Sequence, residues 1–305
     1  MSNLTIDIEN LKLETIKNLR NSKSINTLRA YQSDFRDFSL FCSKNGFQAM
    51  PTKPNIISLY ITHLSIYSKY STLKRRIASI SIFHKNKGHY VDTKHPIIIE
   101  NLIGIKRKIG SHQKGKKPLL FNDLKLLIKI INQSKEKERK KIRDKALLLI
   151  GFSGGFRRSE LVDIELEDLE FVSEGVKIFV KRSKTDQSGE GMIKAIPYFD
   201  SIIFCPVRAL KKWIELIEHK KGKIFNISDK NVALIIKKYA KYAGMESHNY
   251  AGHSLRSGFA TSTAESGAEE RNIMAMTGHK STEMVRRYIK EANLFKNNPL
   301  NKLKI

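Results

Sequence analysis

The sequence predicts an α+β protein, mostly helical, in which an all-α N-terminal domain precedes a mixed α/β domain. Three observations carry that prediction. Apolar residues in the first hundred positions recur at three- and four-residue spacings, the period of helices that bury one stripe. A cationic stretch with three glycines and no acid, Gly104 to Lys117, has the composition of a linker. Beyond it, two segments alternate in polarity as strands do, between stretches that again read as helices.

The elements follow in order. Asn26 to Phe41 sets Leu28, Tyr31, Phe35, Phe38 and Phe41 on one helical stripe. Pro54 opens a second helix, Asn55 to Ile66, because a proline's missing N–H costs nothing in a first turn. Ser71 or Thr72 can cap a third, which runs to about Lys87 and stops at Gly88. A fourth follows Pro96, and four short helices with brief connections suggest a small bundle. The third helix combines the core candidates Leu73, Ile77, Ile80 and Phe83 with Lys74, Arg75, Arg76, His84, Ser79 and Ser81. One face packs and the other presents cations and hydroxyls, which suits a DNA groove and equally a solvated surface. The linker cations Lys106, Arg107, Lys108, Lys114, Lys116 and Lys117 can cross a DNA backbone. Lys74, Arg75, Arg76, Lys106 and Arg107 are thus the candidate DNA contacts. The domain boundary is expected at about residue 112, giving a helical DNA-binding unit 1–111 and a second unit 112–305.

In the second unit, Phe121 to Ile131 reads as an amphipathic helix capped by Asn122. A helix from Ile142 runs into the glycine-rich break Gly151-Phe-Ser-Gly-Gly155. Gly175 to Arg182 and Met192 to Pro197 read as strands, with the polar stretch 183–191 as their hairpin loop. Helices resume from Val207 to His219 and continue nearly to the end.

Composition narrows the function. Lys and Arg total 56 against 30 Asp and Glu, a formal net charge of +26 in 305 residues. A surface this basic calls for a polyanion, and nucleic acid is the commonest one in a cell. Cys42 and Cys205 lie far apart with no Cys-x-x-Cys spacing, which argues against a disulfide framework or zinc site and fits a reducing cytoplasm. No apolar run approaches the roughly 18 residues of a membrane span, and the first residues lack a signal core. A cytoplasmic, nucleoid-associated protein is expected, with no membrane partner.

Four local patterns can carry chemistry. In Gly155-Phe-Arg157-Arg158-Ser159-Glu160-Leu161, an arginine follows a glycine turn and opens a short helix, with Glu160 one turn later to hold its fork. In His253-Ser-Leu-Arg256, a spacing of three puts imidazole and guanidinium on one helical face, within reach of one anion. Gly278-His279 lets the backbone bring in a second histidine. Tyr288 follows nine residues later.

Each pattern is weak alone, and the ordered set is not. The boxes GFRRSEL, HSLRSGFAT, TGHKS and RRYI, in this order and spacing, resemble those of the tyrosine recombinase (phage integrase) family. The resemblance covers nearly the whole chain, with Gly151 to Tyr288 matching the catalytic half and the helical N-terminal half similar to the family's core-binding domain. It implies a catalytic set of Arg157, Lys184, His253, Arg256, His279 and Tyr288. Lys184 is the match to a hairpin lysine, and Lys181 is a nearby competitor. Arg158 replaces a common aliphatic residue and is expected to touch DNA or solvent. Ser257 replaces a common histidine.

The chemistry explains the residue types. A phenol with a pKa of about 10 is a weak nucleophile unless a base or cations assist it. Arg157 and Arg256 can hold the charge that builds on a phosphodiester, His253 can exchange a proton with the phenol, His279 can bond the phosphate and Lys184 can protonate the leaving oxygen. The resemblance implies a 3′-phosphotyrosyl intermediate, no ATP, no cofactor and no metal. The implied partners are double-stranded DNA with paired recombination sites, three further copies in a homotetramer, and DNA-bending accessory proteins. The apolar-studded tail, Ile289 to Ile305, is expected to dock on a neighbouring subunit. A type IB topoisomerase and a catalytically silent DNA-binding regulator are the alternatives. The full catalytic set disfavours the silent regulator, while the N-terminal domain and tail disfavour the topoisomerase.

Overall fold

A computed structural model describes residues 7–21, 24–111, 115–181, 191–292 and 299–303. The chain divides into two compact units, Met1–Lys114 and Gly115–Ile305. The expected boundary at about residue 112 falls among 112–114, which lie outside the described residues. Among the described residues, no helix is long and apolar enough to cross a membrane.

The first unit is helical: α1 (Ile8–Asn21), α2 (Ile25–Lys44), α3 (Pro54–Ser65), α4 (Tyr70–Asn86) and α5 (Pro96–Ile109). Its core is built from Phe38 and Cys42 of α2, Ile57, Tyr60, Ile61 and Leu64 of α3, Leu73, Ile77 and Ile80 of α4, and Ile98, Leu102 and Ile105 of α5. Helix α1, which the spacing argument did not pick out, leaves Ile8, Leu11, Leu13 and Ile16 exposed. Prolines open α3 and α5 as expected. Helix α4 begins earlier than expected, with Lys69 at its cap, so Ser71 and Thr72 lie inside the first turn and cap nothing. Gly104 to Ile109 is the end of α5 and not linker, and the helix stops at Gly110. Lys106, Arg107 and Lys108 therefore occupy a last turn, where cations offset the negative end of the helix dipole.

Helix α4 turns more of its polar residues inward than expected. Ser79 is fully buried and donates to the Tyr31 carbonyl at 2.9 Å. His84 is fully buried as well: its Nδ1 lies 2.8 Å from the Ile80 carbonyl oxygen, and its Nε2 accepts the Thr52 N–H at 3.0 Å. That pair of bonds requires the neutral ring, and burial pushes the His84 pKa below the ordinary value. Arg76 sits 3.3 Å from the buried Asp34 carboxylate, pairs with Asp37 and donates to the Tyr60 hydroxyl at 2.7 Å. Arg75 also pairs with Asp34. Of the expected DNA contacts, Lys74, Arg75, Lys106 and Arg107 are exposed, and Arg76 is partly buried.

The second unit comprises α6 (Phe121–Gln133), α7 (Glu138–Ser153), α8 (Arg158–Asp163), a three-stranded sheet, α9 (Pro206–Ile214), α10 (Asp229–Tyr242), α11 (Ser254–Glu265), α12 (Glu270–Thr277) and α13 (Thr282–Ala292). The sheet is antiparallel in the order β1 (Leu169–Phe171), β2 (Gly175–Val180), β3 (Met192–Pro197). Its first strand was not expected. Asn122 lies inside α6, whose cap position is Leu120, and the Asp123 carboxylate accepts the Leu120 N–H there. Helix α7 begins at Glu138, before the expected Ile142, and every residue from Ala146 to Ser153 is buried. A helix buried all round is the centre of its domain, and α7 packs against α6, α9 and α11.

Candidate active site

Four turns deliver the four sequence patterns to one place. The C-terminal end of α7 gives way to the Gly154-Gly155 turn, after which Arg157 caps α8. Glu160, itself 5% exposed, accepts the Arg157 backbone N–H at 3.0 Å and its guanidinium at 2.6 Å. One carboxylate thus caps the helix and fixes the fork, as the Arg-x-x-Glu spacing suggested. Arg157 Nη2 also donates to the Gly278 carbonyl at 3.3 Å, reaching the turn that carries His279.

Helix α11 is set by the segment that enters the second unit. Lys117 donates its N–H to the Asn249 carbonyl at 2.8 Å, and Leu119 donates to the Ser254 carbonyl at 2.9 Å. This strap crosses α11 so closely that a Cβ on Gly258 would lie 1.8 Å from the Leu119 oxygen, so only glycine permits the approach. Arg256, one turn into α11, is fully buried. Its Nη1 donates to the Gly155 carbonyl at 2.8 Å, while its Nε and Nη2 have no partner among the described residues. Burial, then the neighbouring Arg157, pushes its pKa down to about 10.

His279 follows the left-handed Gly278 (φ 62°) that ends α12, a conformation glycine adopts without strain. Its ring is nearly buried, with Nδ1 2.7 Å from the hydroxyl of the fully buried Thr277. That contact fixes the ring and leaves Nε2 as the nitrogen a ligand can use. Burial, helped by the charges of Arg256, Arg157, His253 and Lys194, pushes its pKa down to about 4. His253, at the cap of α11, lies with Nε2 3.3 Å from the Tyr288 hydroxyl. Its side chain keeps an exposed edge, yet desolvation by the protein around it and the charges of Arg256, Arg157 and Arg158 hold its pKa below the ordinary histidine value.

Tyr288 rides on α13, half-buried, with its ring 6.1 Å from that of His279. The buried Val285 packs α13 into a small cluster with Ala260 and Ala264 of α11 and Ile273 of α12. An Arg286–Glu270 ion pair at 3.2 Å adds a polar tie to α12.

Arg157, His253, Arg256, His279 and Tyr288 therefore converge. Lys184 lies outside the described residues. Its competitor Lys181 pairs with Glu165 and stands 3.0 Å from Asp168. Arg158, expected to touch DNA or solvent, is exposed, and it also pairs with Asp229 at 3.3 Å and lies across Gly252. Two residues at the site were missed. Thr277 has no distinctive spacing. Lys194 did have a signal: it alternates in phase with the inward Ile196 of β3, so a strand reading places it inside.

The electrostatics share one direction. Around a single carboxylate, Glu160, stand Arg157, Arg256, His253, His279 and Lys194, and each resolved shift among these cations and histidines lowers its pKa. Such a pocket carries uncompensated positive charge and is built to receive an anion. Among the described residues, no three His, Cys, Asp or Glu side chains gather so as to hold a metal ion.

Comparison with known proteins places this geometry. Residues 117–294 match the Phage integrase family. An integrase/recombinase xerD homolog of Selenomonas ruminantium is 42% identical, covering 97% of this chain and 90% of its own length. A tyrosine recombinase XerC of Staphylococcus aureus is 27% identical, covering 94% of this chain and 92% of its own. In fold, the chain resembles the XerH site-specific recombinase in a post-cleavage complex with palindromic difH substrate. The TM-score is 0.70 at 15% identity, over 94% of this chain and 84% of that one. An anion pocket of two arginines and two histidines, with a tyrosine at its edge, thus stands in a chain that belongs to the phage integrase family, as a tyrosine recombinase enzyme.

Proposed function

We propose that this chain cleaves and rejoins DNA at specific paired sites through a 3′-phosphotyrosyl bond to Tyr288. The observation that carries the reading is the buried Arg256, with two guanidinium nitrogens that no atom of the described residues accepts from, beside Arg157 and His279. A phosphodiester supplies the acceptors that these donors need.

The steps follow from the positions. The Tyr288 oxygen attacks phosphorus, and its proton passes to His253, whose Nε2 is 3.3 Å away. Negative charge on the non-bridging oxygens is met by Arg157, Arg256 and His279. The bond to the 5′-oxygen breaks, and that oxygen takes a proton from Lys184. Lys181 is engaged with Glu165 and Asp168, which favours Lys184 in this role. The ester keeps the bond energy, so a 5′-hydroxyl of another strand reverses the sequence without ATP. A neutral His253 is ready to accept the first proton, and its depressed pKa keeps it neutral at ordinary pH.

The exposed cations Lys74, Lys106 and Arg107 are proposed as backbone contacts. Arg76 is engaged inside the first unit and Arg75 with Asp34, so the reading gives them a supporting part. Exchange between two duplexes requires four such sites, hence four copies, with the C-terminal tail docking from one to the next.

Covalent capture tests the reading. Cells producing the protein or a Tyr288→Phe variant are denatured, and DNA that stays attached to protein is recovered and sequenced. Adducts with a shared sequence only from the intact tyrosine are the expected outcome. Equal recovery from both would remove Tyr288 as the nucleophile.

A further inference from the structure

The side chain of Lys194 belongs to none of the four sequence patterns, yet it lies at their centre. It projects from β3, opposite Ile178 of β2, and is fully buried. Its ammonium donates to the carbonyl of Gly154 at 2.7 Å and to that of Met276, and lies 4.8 Å from the centre of the Phe156 ring. Gly154 stands three residues before Arg157, and Met276 three residues before His279. Among the described residues, no carboxylate pairs with the ammonium. The charged and titratable groups around it are Glu160 and Arg157 at the start of α8, Arg256 on α11, and His279 after α12. A buried ammonium without an ion pair is costly to keep, and an apolar side chain would fill the same space at less expense.

We infer that Lys194 is a positioning residue, whose ammonium clamps the Arg157 turn to the His279 turn and so holds both side chains on one phosphate. Two carbonyls from separate loops converge on one donor, and only a cation with several N–H groups can serve both while adding positive potential to the pocket. Lys194 itself does not touch the phosphate, since its side chain is sealed from solvent and two of its three N–H donors are held by the two carbonyls.

The clamp is also sensitive to pH. Burial, opposed by Glu160 and reinforced by Arg256 and Arg157, pushes the Lys194 pKa down to about 7. In the free protein the ammonium is therefore lost as pH rises through neutrality, and the neutral amine that remains holds the two turns with weaker, uncharged hydrogen bonds. A bound anion restores the ammonium, so anion affinity falls with rising pH over that range. His279 and His253, both held below the ordinary histidine range in the free protein, lie below this window.

The inference rests on the strand-cleavage reading for the identity of the anion, and its test does not. Inorganic sulfate is a tetrahedral dianion whose charge is constant from about pH 6 to about pH 8.5, unlike that of phosphate. Sulfate binding to the full chain is measured by calorimetry across this range for wild type, Lys194→Met and Lys194→Arg, with thermal melts to establish folding. Wild-type affinity should fall about tenfold as pH rises, the size of one charge-assisted hydrogen bond. Lys194→Met should bind at least about tenfold more weakly and lose that dependence, while Lys194→Arg, charged throughout, should bind tightly at every pH. A folded Lys194→Met that binds with wild-type strength and slope overturns the inference. So does a flat wild-type profile, which no folding defect can cause, or a folded Lys194→Arg that keeps the wild-type slope. If the variants behave as expected while wild type forms no covalent adduct, the clamp stands and the cleavage reading falls.

Discussion

Arg256 shows how a side chain can oppose folding and serve function at once. Its guanidinium is fully buried with Nε and Nη2 unmatched, a state that costs free energy until an anion arrives. Replacing such a group with an apolar one of similar length is commonly neutral or stabilising, by about 1–4 kcal/mol. Arg256→Met should therefore melt at or above the wild-type temperature. Sulfate should raise the wild-type melting temperature and leave the variant's unchanged, because only the former binds it. Covalent adduct formation should fall at least about a hundredfold, the usual effect of losing one transition-state donor. A variant that melts lower yet still responds to sulfate would show that the arginine is structural. At this scale the sequence was most informative about Arg157, His253, Arg256, His279 and Tyr288, because their boxes sit at fixed spacings. Lys194 and Thr277 were hidden for a different reason. Their partners, the Gly154 and Met276 carbonyls and the His279 ring, are meaningful only once the turns have met.

Helix α4 shows what a periodic pattern leaves out. Leu73, Ile77 and Ile80 were readable as its buried stripe, but Arg76 and His84 lie on the same side, three or four residues from those apolar positions. Polar residues on that side are offset by carboxylates on α2 and by the Thr52 N–H, which donates to His84, more than thirty residues away in sequence, and no local spacing reveals them. The consequence is measurable. Arg76→Ala strips Asp37 and Tyr60 of their cation and leaves the buried Asp34 with Arg75 alone. The variant should lose about 2–3 kcal/mol of stability, toward the lower end for a broken buried pair. Lys74→Ala should cost under about 0.5 kcal/mol of stability, as most surface changes do, while weakening DNA binding. Chemical denaturation beside a DNA titration separates the two, and equal losses of stability would undo the distinction. Element ends misled for a simpler reason. Ser71, Thr72 and Asn122 have cap chemistry but fall one to three residues inside their helices, where Lys69 and Leu120 hold the cap positions instead.

For the whole molecule, the mixed architecture was legible because stripe and alternation are long-range patterns, whereas the three-residue β1 is too short to show a period. The net charge of +26 makes a polyanion partner the natural complement of this surface, and the proposed assembly adds copies of the chain to it. If the tail joins copies, truncation after Lys290 should leave single-site DNA binding intact and abolish the pairing of two sites, as read by native gel migration. Unchanged pairing would sever the tail from assembly. The 3.3 Å approach of His253 to Tyr288 has a final consequence, because base and nucleophile come from one polypeptide together with both arginines. On the proposed reading each copy supplies these four groups itself and borrows none of them. Two inactive alleles, one lacking Tyr288 and one lacking Arg256, then have nothing to lend each other, and a cell carrying both remains as deficient as a cell carrying either.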